Sequence, residues 1–128
     1  MLGPTAHIDT FSRDNLPKQS EYPDFLLNEY NYPDFLNASE ELTDVMVGKG
    51  FGDHTALIGN GRRRTYKELT DWTNKLANAL VENYGVKPGN RVLIRSANNP
   101  AMVACWLAAT KVGAVVVNTM PMLRSGEL

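Results

Sequence analysis

The sequence predicts an incomplete α/β domain, and three observations carry that prediction. From residue 91 onward the pattern runs strand, helix, strand, an order that calls for a parallel pair joined by a right-handed crossover. Upstream, two short strand-prone runs flank Asn60-Gly61, a dipeptide that favours a tight hairpin. Ser125-Gly-Glu-Leu128 opens like a helix, with a capping serine and an early acid, yet holds too few residues to complete one. The β-α-β unit lacks its next element, so a truncated piece of a longer protein is expected.

Residues 1–36 read as an irregular arm and residues 37–128 as the incomplete α/β portion. Pro4, Pro17, Pro23 and Pro33 stand among polar residues there and block long helices and central strands. One short repeat lies in the arm: Tyr22-Pro-Asp-Phe-Leu26 recurs as Tyr32-Pro-Asp-Phe-Leu36. Two copies are too few for a solenoid. Their aromatics are expected to staple the arm onto a surface.

Asn37 then supplies a helix cap, with Glu40 three residues on as in a capping box. Leu42, Val45 and Met46 share one face at helical spacing and are expected to be buried. Gly48-Lys-Gly-Phe-Gly52 ends that helix. Thr55-Ala-Leu-Ile58 and Arg62-Arg-Arg-Thr65 form the hairpin arms. Thr65 caps a second helix, with Glu68 three residues later and an apolar stripe of Leu69, Trp72, Leu76 and Leu80; Gly85 stops it. Arg91-Val-Leu-Ile-Arg95 reads as a strand.

Asn99 caps a third helix and Pro100 takes its first position, where a missing N–H costs nothing. Residues 101–109 are apolar on most sides, so the helix at 99–112 is expected to lie on the sheet with Cys105 and Trp106 substantially buried. Gly113 closes it. Ala114-Val-Val-Val-Asn118 reads as a buried strand.

Composition narrows the class. The chain has 128 residues, 43% hydrophobic and 21% charged, which argues against disorder and suits one domain. A single Cys excludes an internal disulfide framework, and the first residues lack the basic start and apolar run of a secretory leader; a cytoplasmic protein is expected. Residues 1–60 carry 3 basic and 10 acidic side chains, residues 61–128 carry 10 and 4. The basic residues are scattered over several elements instead of forming one stripe, so attraction between the two halves is favoured over nucleic-acid binding.

No constellation here carries chemistry by itself. Gly48-x-Gly50-x-Gly52 has neither dinucleotide-binding spacing nor the Gly-Lys-Ser/Thr ending of a phosphate loop. Arg62, Arg63 and Arg64 alternate across a strand and cannot act as one phosphate clamp. His7 and His54 lack partners at metal-ligand spacing, and Asp53-His54 has no nucleophile nearby. Cys105, on an apolar helix, reads as a core residue. Thr110, Lys111 and Gly113 interrupt the apolar run at 100–117, so no membrane span is expected. No catalytic, cofactor-binding or metal-binding residue is assigned.

Several stretches together resemble the N-terminal region of the adenylate-forming enzymes, the acyl-CoA synthetases and their relatives. They are Thr65-Tyr-Lys-Glu-Leu69, Asn74-Lys-Leu-Ala-Asn-Ala-Leu80, Gly85-Val-Lys-Pro-Gly-Asn-Arg-Val92, Asn98-Asn-Pro100, Leu107-Ala-Ala-Thr-Lys-Val-Gly-Ala114 and Val117-Asn-Thr-Met-Pro121. The arm from Ala6 to Pro17, with Tyr32–Asn37 and Thr119-Met-Pro-Met-Leu-Arg124, looks like the 2-aminobenzoate–CoA and benzoate–CoA ligases.

The resemblance implies part of a large AMP-binding domain, and a parent enzyme that joins a carboxylate to CoA through an acyl-adenylate, using ATP, Mg²⁺ and CoA. The family's phosphate-gripping loop, Thr-Glu motif, ribose-binding Asp and mobile-domain Lys have no counterpart in these residues. The resemblance therefore implies an inactive fragment. Separately, a sheet that stops after residue 118 leaves an unpaired edge and an apolar face, so the isolated chain is expected to self-associate. Two other readings stay beside the resemblance: a free-standing α/β interaction module, and a nucleotide-binding oxidoreductase, which would need a glycine-rich turn where Arg95-Ser-Ala-Asn-Asn-Pro100 has none.

Overall fold

Asn60 and Gly61 both take positive φ, 51° and 71°, the backbone a two-residue primed turn demands and the reason Asn-Gly suits it. Strands β1 (Thr55–Gly59) and β2 (Arg62–Thr65) therefore pair antiparallel, with Gly59 opposite Arg62 and an irregularity between Thr55 and Leu57. A computed structural model describes residues 4–24, 30 and 32–127 of the chain.

Thr65 ends β2 and starts helix α4 (Tyr66–Glu82) in the same residue. Its hydroxyl accepts from the Glu68 amide while the Glu68 carboxylate accepts from the Thr65 amide, a complete capping box. Leu69 is buried, and Trp72 and Leu76 pack half-buried beside it. Strand β3 (Arg91–Arg95), helix α5 (Pro100–Lys111) and strand β4 (Val115–Thr119) follow, with β3 and β4 parallel and in register from Arg91–Val115 to Arg95–Thr119. The Asn99 side chain accepts from the Met102 amide at 2.9 Å, and Pro100 stands at the first turn, as the sequence indicates.

The core forms where α4 crosses α5. Ala104, Ala108 and Ala109 are fully buried, and with Leu69 and Leu107 they let the two helices approach closely. Cys105 and Trp106 are mostly buried, as expected, and Trp106 packs against this core. Cys105 faces an open groove beside β3 instead of a second layer.

Strand β4 departs from a fully buried reading. Helix α5 covers one face of the pair, over Ile94; on the other face Leu93 and Val117 remain 57% and 39% exposed. The strand starts one residue later than expected, at Val115.

Two further corrections concern residues before 55. Asn37 caps α2 (Ala38–Leu42) by accepting from the amides of Ser39 and Glu40, but the helix breaks at Thr43 before the short turn α3 (Asp44–Met46). The break rotates the intended face. Leu42 is 55% exposed, Val45 and Met46 are half-buried, and the residues that go inside are Ser39 and Thr43, both fully buried. Thr43 Oγ1 lies 2.6 Å from the Ser39 carbonyl and 2.8 Å from Asp44 Oδ2.

In the arm, helix α1 (Phe11–Asp14) and a 3₁₀ turn at Gln19–Glu21 are the regular elements among the described residues. Tyr32 and Phe35 of the second repeat are exposed, so these aromatics do not fasten the arm; Phe25 and Leu26 of the first copy fall outside the described residues. The helix expected to open at Ser125 is a turn over residues 125–127, closed by a bond from the Glu127 amide to the Arg124 carbonyl at 2.9 Å. No helix among the described residues is long and apolar enough to cross a membrane.

Candidate functional site

In open α/β sheets, ligands sit outside the carboxyl ends of the strands. Here that edge comprises the end of β3, the loop 96–99, the start of α5, and residues 119–124 after β4. The hairpin closes one side of it. Gly59 lies so near the first turn of α5 that a Cβ there would stand 2.6 Å from Pro100 Cγ. A cleft between the two elements is lined by Leu57, Asn60, Asn98, Asn99 and Val103.

Several polar groups at this edge are engaged internally, whereas the buried Thr119 Oγ1 has no hydrogen-bond partner among the described residues. Arg95 Nη2 donates to the Pro121 carbonyl at 2.8 Å and also to the Leu123 carbonyl, pinning the segment after β4. Asn99 Nδ2 donates to Ser96 Oγ at 3.1 Å, and Ser96 Oγ donates to the Ala97 carbonyl. Such an edge positions backbone. It assembles no nucleophile beside a base among the described residues.

A second concavity is apolar. Leu76, Leu80 and Tyr84 of α4 and its exit face Ile94 of β3 and Met102 and Cys105 of α5 across a groove of about 370 Å³.

The residues singled out from sequence are scattered. Arg62 and Arg63 are exposed, while Arg64 lies over the Trp72 ring at 4.4 Å, so the three guanidinium groups diverge as the strand period requires. His54 packs edge-on against Phe51 at 5.2 Å; Asp53 beside it is exposed. His7 sits on the arm, in a groove shared with Asp34 and Glu40.

Among the described residues, two ion pairs instead join the acidic and basic halves, and neither follows as a pair from sequence. Asp9 pairs with Arg91, and Asp44 with Lys111. The amide of Phe11, then Asn90 and Arg91, hold the Asp9 carboxyl below its ordinary value. For Asp44 burial pushes upward, but hydrogen bonds from Lys111 and Thr43 outweigh it and the carboxyl ends below its ordinary value. Lys111 also donates to Asn74 Oδ1. The opposite charges of the two halves were the available signal.

The Arg95 guanidinium is occupied by carbonyls, and no three His, Cys, Asp or Glu side chains among the described residues stand together to hold a cation.

Comparison with known proteins supplies the identity that local chemistry does not. The AMP-binding enzyme family matches residues 46–128. A 3-hydroxybenzoate–CoA ligase of Aromatoleum sp. (strain CIB) is 38% identical over 82 residues, 64% of this chain and 16% of that protein. The N-terminal subdomain of Klebsiella oxytoca NpsA, in complex with anthranilyl-AMSN, superposes with a TM-score of 0.60 at 32% identity, over 69% of this chain and 22% of that one. The anthranilate CoA ligase AuaEII shares the fold, with a TM-score of 0.67 at 24% identity over 75% of this chain and 18% of its own. The chain thus spans about a sixth of the curated relative it matches (16%).

Proposed function

Since this chain belongs to the AMP-binding enzyme family, we propose that it forms part of an ATP-dependent acid–CoA ligase acting on a small aromatic carboxylate such as 2-aminobenzoate. The observation that carries this reading is the 38% identity over 82 residues to a 3-hydroxybenzoate–CoA ligase. Support for an ortho-amino acid comes from the anthranilyl ligand of the NpsA subdomain, whose fold these residues share.

The reaction has two steps. The carboxylate oxygen attacks the α-phosphorus of ATP and pyrophosphate leaves; the CoA thiol sulfur then attacks the acyl carbonyl and AMP leaves, the thiol proton passing to solvent. Residues 46–127 contribute scaffold to this chemistry. The capped helix α5 packs on the parallel pair, α4 packs on α5, and Arg95 fixes the segment that leaves the pair. ATP, Mg²⁺ and CoA belong to the complete ligase.

By itself the 128-residue chain is inactive in this reading, because positioned cations and donors around the triphosphate account for orders of magnitude in rate. It also self-associates through the bare sheet face at Leu93 and Val117 and the unpaired strand edges.

The deciding experiment measures kcat/KM of the longest product of the gene across a panel of acids. Preference for 2-aminobenzoate or benzoate over long aliphatic acids supports the reading, and the reverse preference ends it. Acid-dependent ATP–pyrophosphate exchange by residues 1–128 alone would contradict the proposed inactivity.

A further inference from the structure

The amino end of the parallel pair, opposite the carboxyl edge, carries a second construction. The amides of Ile8 and Asp9 both donate to the Pro88 carbonyl at 3.0 Å. Asp9 Oδ2 accepts from Asn90 Nδ2 at 2.9 Å and from Arg91, while its Oδ1 accepts from the Phe11 amide at 3.0 Å. Arg91 also lies over the Phe11 ring, 4.9 Å from its centre. Gly89 makes the approach possible. Its φ is +91°, and a Cβ there would stand 2.0 Å from the Asp9 carbonyl oxygen.

This seat holds the arm by polar contacts instead of burial. Ile8 and Phe11 are 70% and 59% exposed, so little apolar surface leaves water when residues 8–11 dock. The Asp9 and Arg91 side chains keep 25% and 39% of their own exposure, and pairs of that kind are weak and screened by salt.

The seat does not depend on its occupant. The Gly89 amide donates to the Gly113 carbonyl at 2.8 Å, and the Val115 amide to the Asn90 carbonyl at 2.8 Å, bonds in which the arm takes no part. Together with the β3–β4 ladder they fix the loop 87–90 from the other side.

We infer that residues 8–11 are a releasable strap, held by the Asp9 carboxylate on the loop 87–91 and able to leave while the helix–sheet core stays folded. The opening is an ionic-strength-dependent local event, distinct from global unfolding.

Amide hydrogen exchange of the whole chain, read by mass spectrometry, tests this with Asp9→Asn and with the unaltered protein at about 0.1 M and 1 M sodium chloride, where screening lengths are about 10 Å and 3 Å. Asp9→Asn should speed exchange of residues 8–11 about five-fold, as loss of one partly exposed ion pair implies. High salt should act the same way on the unaltered chain, with residues 66–82 and 100–111 unchanged in both cases. Unchanged exchange at 8–11 overturns the inference, as does acceleration there only in step with the two core helices. The salt comparison needs no variant, so it stands even where Asp9→Asn fails to fold.

Discussion

Asn37 donates from Nδ2 to the Lys111 carbonyl at 2.9 Å, across 74 positions of sequence, while its Oδ1 accepts from the amides of Ser39 and Glu40. One side chain starts α2 and satisfies a carbonyl that the end of α5 leaves free. Asn37→Ala removes all three bonds and should cost about 1–2 kcal/mol. Asn37→Ser retains a cap acceptor but cannot reach α5, and should cost about half as much. Urea midpoints at constant m-value check this; equal losses in the two variants would refute the double role.

The break at Thr43 has its own test. Leu107 is 4% exposed and Leu42 is 55% exposed. Leu107→Ala should cost about 2–5 kcal/mol through the cavity it leaves, whereas Leu42→Ala should stay within about 0.5 kcal/mol. Comparable losses by chemical denaturation would mean that Leu42 is buried after all.

Contact between the hairpin and α5 predicts a coupled pair. Gly59→Ala places a methyl 2.6 Å from Pro100 Cγ and 2.9 Å from its Cδ, both on a stiff ring, so about 1–3 kcal/mol should be lost to overpacking. Combining it with Pro100→Ala should recover part of that loss, giving a non-zero interaction term in a double-mutant cycle. Additive effects would remove the contact from the account.

Asp44 sets an acid limb of stability. Its folded carboxyl titrates below its ordinary value of 3.8, so its contribution is complete above that pH and disappears as pH falls through the lower folded value. Stability should therefore drop in acid, and Asp44→Asn should flatten part of that drop while lowering stability at neutral pH. Parallel pH profiles for the two proteins would exclude Asp44 as a source.

Where local signals and tertiary packing agreed, the chain was readable. Asn60-Gly61, the Thr65–Glu68 box, and Asn99 with Pro100 each encode their geometry within four residues, and each stands as expected. Helical spacing misled at Leu42, because the chain breaks at Thr43 and puts two hydroxyl residues inside instead. Cys105 and Trp106 are mostly buried, as the apolar composition of α5 indicates. The ties of Asp9 to Arg91 and of Asp44 to Lys111 span 82 and 67 positions, beyond any local pattern. Family membership is legible from the run of motifs after residue 55; the identity of the acid is not, because no local pattern of residues encodes it.

Thr65 is at once the last residue of β2 and the cap of α4, so no linker separates strand from helix. A strand alternates its faces every residue, and a helix turns by about 100° per residue. One residue inserted at this joint would swing Leu69 away from Ala104 and Leu107 of α5 and break the reciprocal bonds with Glu68. Length variation among descendants of this chain should therefore spare the joint at 65.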